Sequence, residues 1–215
     1  MAEAVFFDLD GTLADTAPDL GYALNLLREQ RGLPPLAQEI IRPYASHGAR
    51  GLLEIGLELT PDNPDFGAAR LEFLVFYERH ICHRTRLFSG IAELLDGLES
   101  RGIAWGVVTN KPARFTDPLM EQLGLSRRAA AIVSGDTCAN AKPHPEPLFY
   151  AASQAGKDPA KCLYVGDAER DIEAARAAGM FSLVAMYGYI DESDRPHEWQ
   201  ADGTIASPLG VFDYL

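Results

Sequence analysis

The sequence predicts an α/β protein built on a parallel sheet and interrupted by an all-helical insert. Two patterns carry this expectation. Short apolar runs alternate with stretches of helical period over most of the 215 residues, as in successive βα units. One interval, from about Ala17 to Leu87, breaks the alternation and shows helical stripes only.

The elements follow in chain order. Ala4–Phe7 is the first candidate strand, and Ile103–Thr109, Ala130–Ser134, Cys162–Gly166, Phe181–Met186 and Thr204–Ala206 are the later ones. They are short, apolar and largely bounded by Gly, Asp, Asn or Ser, as strands buried on both faces should be. Helices are expected over Ile91–Arg101, Pro112–Leu123, Glu146–Ala155 and Glu169–Ala178. Gly102 and Gly179 stand where a left-handed helix stop is wanted. In the interrupting interval, Leu20, Ala23, Leu24 and Leu27 fall on one helical face, with Pro18 suited to the first turn and Gly32 to the end. Phe66, Ala69, Phe73, Phe76 and Tyr77 form a second stripe, read as core.

Composition narrows the function classes. The chain is 47% hydrophobic and 23% charged, ordinary for a globular protein, and long enough to bury a core. Its formal net charge of -12 argues against nucleic acid, which wants a basic stripe. Arg84-Thr85-Arg86 is the nearest approach to one and reads as a solvated loop. Three widely spaced cysteines, Cys82, Cys138 and Cys162, imply no disulfide framework and fit reduced thiols in a cytoplasm. Met1-Ala2-Glu3 runs straight into a strand, without the pattern of a secretory signal. No apolar run approaches the roughly 20 residues of a membrane span.

Four clusters carry candidate chemistry. Asp8-Leu9-Asp10-Gly11-Thr12 follows the first strand. Residues two apart in extended chain point to one side, so Asp8 and Asp10 can face one site. One carboxylate can attack phosphorus while the other moves a proton; a polar turn is the plainer alternative. Thr109-Asn110 offers a hydroxyl and backbone N–H groups at a helix start, an anion site or an ordinary turn. Lys142 sits in Lys142-Pro143-His144-Pro145-Glu146-Pro147, a proline-stiffened loop, where it is a point charge for phosphate or a surface lysine. Asp167 and Asp171 are four apart and share a face if a helix begins there, as oxygen ligands for a hard cation or as acidic residues favoured at a helix N-terminus. Each cluster lies beyond a strand of the parallel sheet, where ligands of open α/β sheets bind. Carboxylates about 4 Å apart repel by about 4 kcal/mol at an effective dielectric near 20, so such a site needs a cation, and Mg²⁺ suits it.

Phe7-Asp8-Leu9-Asp10-Gly11-Thr12-Leu13, Thr109, Lys142, and Gly166-Asp167 with Asp171 resemble, in order, the four motifs of haloacid-dehalogenase (HAD) superfamily phosphatases. The resemblance implies a HAD-like Rossmannoid parallel sheet flanked by helices, with an inserted α-helical cap of the C1 type. The core would span 1–16 and 88–215 and the cap 17–87. Asp8 would be the nucleophile and Asp10 the acid and base. Mg²⁺ would be held by Asp8, the Asp10 main-chain carbonyl and Asp167, with Asp171 supporting the metal shell or orienting Lys142. Thr109, Asn110 and Lys142 would hold the phosphoryl oxygens of a small-molecule phosphate ester. Dehalogenases of the superfamily lack an acid at the position of Asp10, which sets that activity aside.

Within the superfamily, Thr109-Asn110-Lys111-Pro112, Lys142 to Pro147 and Tyr187-Gly188-Tyr189 are similar to phosphoglycolate phosphatases. Arg31-Gly32-Leu33-Pro34-Pro35, Gly48-Ala49-Arg50, Trp105 and Arg114-Phe115 are also similar to bacterial N-acetylmuramic acid 6-phosphate phosphatases. Arg50 is the candidate cap residue for a substrate carboxylate, since Arg binds carboxylates bidentately; a plain surface arginine is the alternative. A sugar-phosphate mutase keeps the same motifs. A phospho-receiver also phosphorylates an aspartate, but is shorter and has no helical insert. His80-Ile81-Cys82-His83 lacks a second pair at zinc-ligand spacing.

Overall fold

The computed structural model describes residues 2–191 and 193–215; Met1, the start of the N-terminal reading, lies outside them. The chain divides into two compact units, Met1–Ala14 with Leu87–Leu215, and Asp15–Arg86.

The first unit is a six-stranded parallel sheet. Its strands are β1 (Ala4–Phe7), β4 (Ala104–Val108), β5 (Ala131–Val133), β6 (Cys162–Gly166), β7 (Phe181–Ala185) and β8 (Gly203–Ile205). Their spatial order is β5-β4-β1-β6-β7-β8. The chain therefore builds outward from β1 in one direction and then returns to build in the other. That places a switch point at the carboxyl end of β1, the default ligand crevice of an open α/β sheet. The register puts Phe7 beside Val107 of β4 and Val165 of β6, so the loops after all three strands emerge together. Helices α5 (Ile91–Ser100), α6 (Ala113–Gln122), α7 (Glu146–Gln154) and α8 (Glu169–Ala177) lie between the strands in sequence. Phe6, Tyr164, Val133, Leu148 and Ala174 meet in one buried apolar cluster.

The second unit is helical, with α1 (Ala17–Gln30), α2 (Gln38–Ile41), α3 (Gly48–Leu57) and α4 (Phe66–Arg79). Two-residue strands β2 (Ala14–Asp15) and β3 (Arg86–Leu87) pair where the chain leaves and re-enters the first unit. The buried carboxylate of Asp19 accepts hydrogen bonds from the Arg84 and Thr85 N–H groups and the Thr85 hydroxyl at 2.8–3.0 Å. Both expected stripes are helices. In the second, Ala69, Phe73 and Tyr77 are buried and Phe66 and Phe76 only partly so. Two further helices, α2 and α3, were not expected. α3 uses glycine at a contact: a Cβ on Gly56 would lie 2.5 Å from Leu24 Cδ1, so its absence lets α3 approach α1 closely.

Candidate active site

The turn after β1 is shaped by Gly11, whose φ of 85° is left-handed and open to glycine at no steric cost. The same glycine makes room. A Cβ there would lie 2.1 Å from Asp167 Oδ2, so the turn presses against the loop after β6. The Thr12 hydroxyl donates to Asp167 Oδ1 at 3.1 Å, and the Tyr189 N–H to Asp167 Oδ2 at 2.8 Å. The Asp8 N–H donates to the Val165 carbonyl at 2.9 Å, extending the β1–β6 ladder into the site.

Lys142 lies at the centre. Its Nζ is 2.7 Å from Asp171 Oδ1, 2.7 Å from Tyr164 Oη, 2.7 Å from the Val108 carbonyl and 3.0 Å from Asp8 Oδ1. An ammonium has three protons, so these four oxygens share them, and Asp8 is the longest contact. The lysine's side chain is 1% exposed, which makes partnered charges obligatory. Burial pushes the Asp171 carboxyl up, and Lys142 pulls it back. Burial, with Asp171 and Asp8 adding, pushes the Tyr164 phenol well above its usual range. Asp171 also accepts from the Ala168 N–H at 3.1 Å and so caps α8. Burial works against the Arg170 charge, but Asp171, Asp8 and Asp167 outweigh it and raise its pKa.

The carboxylates of Asp8, Asp167 and Asp171 are all buried, with one oxygen of each within 4.8 Å of the others. Among the described residues this is the one group of three or more acidic, His or Cys side chains so placed. An all-oxygen, carboxylate-rich donor set suits a hard divalent cation. Asp10 is not one of these three, and its Oδ1 is 2.8 Å from Lys111 Nζ.

Thr109 is buried and accepts the Lys111 N–H at 3.2 Å. Asn110, expected to hold phosphoryl oxygens, has its side chain committed to Lys142. Its Nδ2–H donates to the Lys142 carbonyl at 2.8 Å, and its Oδ1 accepts the Lys142 N–H at 3.0 Å. This double bond pair fixes the loop that carries the lysine. Arg50 is exposed on α3 in the second unit. Trp105 is buried in β4 and its indole donates to Glu99 at 2.9 Å, so it is a packing residue. His80 and His83 face each other with Nδ1 atoms 3.1 Å apart. Two participants were not singled out from the sequence, Tyr164 and the Lys111 ammonium. Nothing in the strand pattern marks Tyr164, because a buried Tyr in a strand is normally core.

The family model described as haloacid dehalogenase-like hydrolase matches residues 5–185. The chain belongs to this family. Among its haloacid dehalogenase-like relatives, an N-acetylmuramic acid 6-phosphate phosphatase of Pseudomonas putida is 45% identical over 206 residues, covering 96% of this chain and 92% of the relative. A phosphoglycolate phosphatase of Xanthomonas campestris pv. campestris is 44% identical over 210 residues, covering 98% and 95%. The crystal structure of a predicted phosphoglycolate phosphatase from Haemophilus somnus superposes with a TM-score of 0.85 at 26% identity, covering 99% of this chain and 97% of that one. This haloacid dehalogenase-like hydrolase thus has phosphatases as its curated relatives. No helix among its described residues is long and apolar enough to cross a membrane.

Proposed function

We propose that the protein is a Mg²⁺-dependent phosphomonoester hydrolase that works through an aspartyl-phosphate on Asp8. One observation carries this reading: the buried lysine Lys142 reaches Asp8 at 3.0 Å within a group of three buried carboxylates. Such a constellation has little use in a core, where buried like charges repel, but it suits a phosphoryl group and a cation. Asp8, Asp167 and the Asp10 main-chain carbonyl hold the cation, beside Asp171. When bound, the cation neutralises charge on the phosphoryl oxygens.

The chain's own residues do the rest. The Asp8 carboxylate attacks phosphorus, the ester P–O bond breaks, and Asp10 gives its proton to the departing alcohol. Water then attacks phosphorus and passes a proton to Asp10, and the Asp8–phosphorus bond breaks to release inorganic phosphate. Lys142 and Thr109 hold the phosphoryl oxygens, and Asn110 and Asp171 hold Lys142. The helical unit of residues 15–86 acts as the cap. Arg50 on it takes the carboxylate of a small phosphorylated acid. Three free cysteines, Cys82, Cys138 and Cys162, are in keeping with a cytoplasmic enzyme.

Phosphoglycolate and N-acetylmuramic acid 6-phosphate are the two esters that the relatives' names and the motif similarities support. Both carry a carboxylate. Phosphate release from each with Mg²⁺, with EDTA controls, tests the reading. A large preference for phosphoglycolate makes it a two-carbon phosphatase. A large preference for the muramic ester places it in cell-wall recycling. Isomer instead of phosphate from a hexose 1-phosphate would replace the hydrolase with a mutase.

A further inference from the structure

The proposed function leaves Lys111 without a role, yet its surroundings are built. The Lys111 N–H donates to Thr109 Oγ1 at 3.2 Å. Its carbonyl accepts from the Gly135 N–H at 2.9 Å and the Thr116 hydroxyl at 3.1 Å. The main chain is thus pinned, which limits where the ammonium can reach. That ammonium lies 2.8 Å from Asp10 Oδ1, with side-chain exposures of 7% and 15%. A pair this covered is screened far less than a surface pair. The contact bridges residues 101 apart in sequence, joining the turn after β1 to the turn after β4.

An ammonium can only donate, so it holds Asp10 as an acceptor. Of the two proton transfers assigned to Asp10, only the second needs an acceptor. We propose that Lys111 is a positioning residue for the second step, holding the Asp10 carboxylate where it takes the proton of the attacking water. In that step the water oxygen bonds to phosphorus, the bond from phosphorus to Asp8 breaks, the water proton goes to Asp10, and inorganic phosphate leaves. The inference rests on the roles proposed above for Asp8 and Asp10.

Pre-steady-state and steady-state hydrolysis of p-nitrophenyl phosphate and of an alkyl phosphate tests it, with Lys111→Met and Lys111→Arg beside the unaltered enzyme. Lys111→Met lowers kcat about 10- to 100-fold, the range of a misplaced proton-transfer group. It shows a burst of about one p-nitrophenol per site, as expected when breakdown of the covalent intermediate limits turnover. Its kcat is then the same for both esters, because the slow step no longer contains the alcohol. Lys111→Arg regains part of the rate. Unchanged kcat with raised KM would make Lys111 a substrate-binding residue, and a slower kcat without a burst would place it in the first step; either overturns the inference. Unfolding midpoints of Lys111→Met, Asp10→Asn and the double variant, without substrate, judge the pair apart from turnover. The double variant is expected to unfold no lower than the weaker single one, and strict additivity would overturn the pairing. Hydrolysis of neither ester by the unaltered enzyme would overturn the proposed function, and with it the step given to Lys111, while the midpoints still decide the pair.

Discussion

Asp8 and Asp10 are two residues apart, yet they are held by different cations, Lys142 at 3.0 Å and Lys111 at 2.8 Å. That separation suits the different tasks proposed for the two carboxylates. Asp8→Asn keeps the side-chain shape and removes the proposed nucleophile. It should lower kcat at least about 1,000-fold while the far-UV spectrum and unfolding midpoint stay near the original; substantial remaining turnover would remove Asp8 from its role. A second residue-scale expectation concerns Cys162. Burial, with Asp158 and Glu3 adding, pushes its thiol up to about 11. At pH 8 only about one molecule in a thousand is then thiolate, the reactive form, so iodoacetamide should label Cys162 far more slowly than a free thiol. The sign for stability follows. Above the ordinary thiol range the unfolded chain loses this proton before the folded one does, so Cys162 contributes stability at neutral pH that fades as pH rises through about 11. Rapid labelling of Cys162 in the native protein at pH 8 would contradict this. Sequence reading singled out Asp8, Asp10, Thr109, Lys142, Asp167 and Asp171 because their clusters follow strands or loops leading from them. It did not foresee that the Asn110 amide bonds the Lys142 main chain, since the same amide chemistry serves an anion or a neighbouring main chain. It gave Lys111 no partner, since only tertiary structure brings residues 101 apart together.

At the scale of elements, the six strands of the main sheet and the four core helices were legible to within a residue or two, because buried parallel strands are short apolar runs and the helices between them keep their period, whereas the two-residue strands β2 and β3 are too short to show one. The helices α2 and α3 were not legible either, and the reason is packing. α3 buries Gly51 and Gly56 beside Leu52 and Leu53, so half of its buried face carries no side chain for a pattern search to count. Two glycines make the principle testable with opposite signs. Gly188 follows β7, and a Cβ there would lie 2.3 Å from Asp167 Cβ and 2.6 Å from the Gly11 carbonyl. Gly188→Ala should therefore cost about 1–3 kcal/mol, as overpacking does, and weaken whatever Asp167 holds. Gly67 lies inside the first turn of α4, exposed, with nothing near its missing Cβ. Gly67→Ala should be neutral or stabilise by up to about 1 kcal/mol. Chemical denaturation of both variants checks the pair, and equal effects would show that local crowding does not govern glycine use here.

For the molecule as a whole, the sheet order decides where the charges gather. Because β1 is flanked by β4 and β6, the loops after three strands deliver Asp8, Thr109 and Asp167 to one crevice, and the loop before α7 adds Lys142. Counted as ionised, Asp8, Asp10, Asp167 and Asp171 face the cations Lys142, Lys111 and Arg170. Four negative charges against three positive ones leave the crevice anionic, on a protein that is itself at -12. A dianionic phosphate does not enter such a site unaided, and a divalent cation reverses the sign. The folded chain gathers these carboxylates and the unfolded chain does not, so the proposed cation would bind the folded state and stabilise it. At a hundredfold excess over its dissociation constant the gain is about 2.7 kcal/mol, which for a protein of this size raises the unfolding midpoint by about 5–10 °C. Millimolar Mg²⁺ should therefore raise the midpoint and EDTA should lower it again. Asp167→Asn should lose the shift, because a carboxylate ligand is gone. Asp10→Asn should keep it, because that side chain lies on Lys111 and only its main chain is assigned to the cation. A scan in which Mg²⁺ moves neither the original protein nor the Asp10 variant, or moves the Asp167 variant equally, would take the cation out of this crevice.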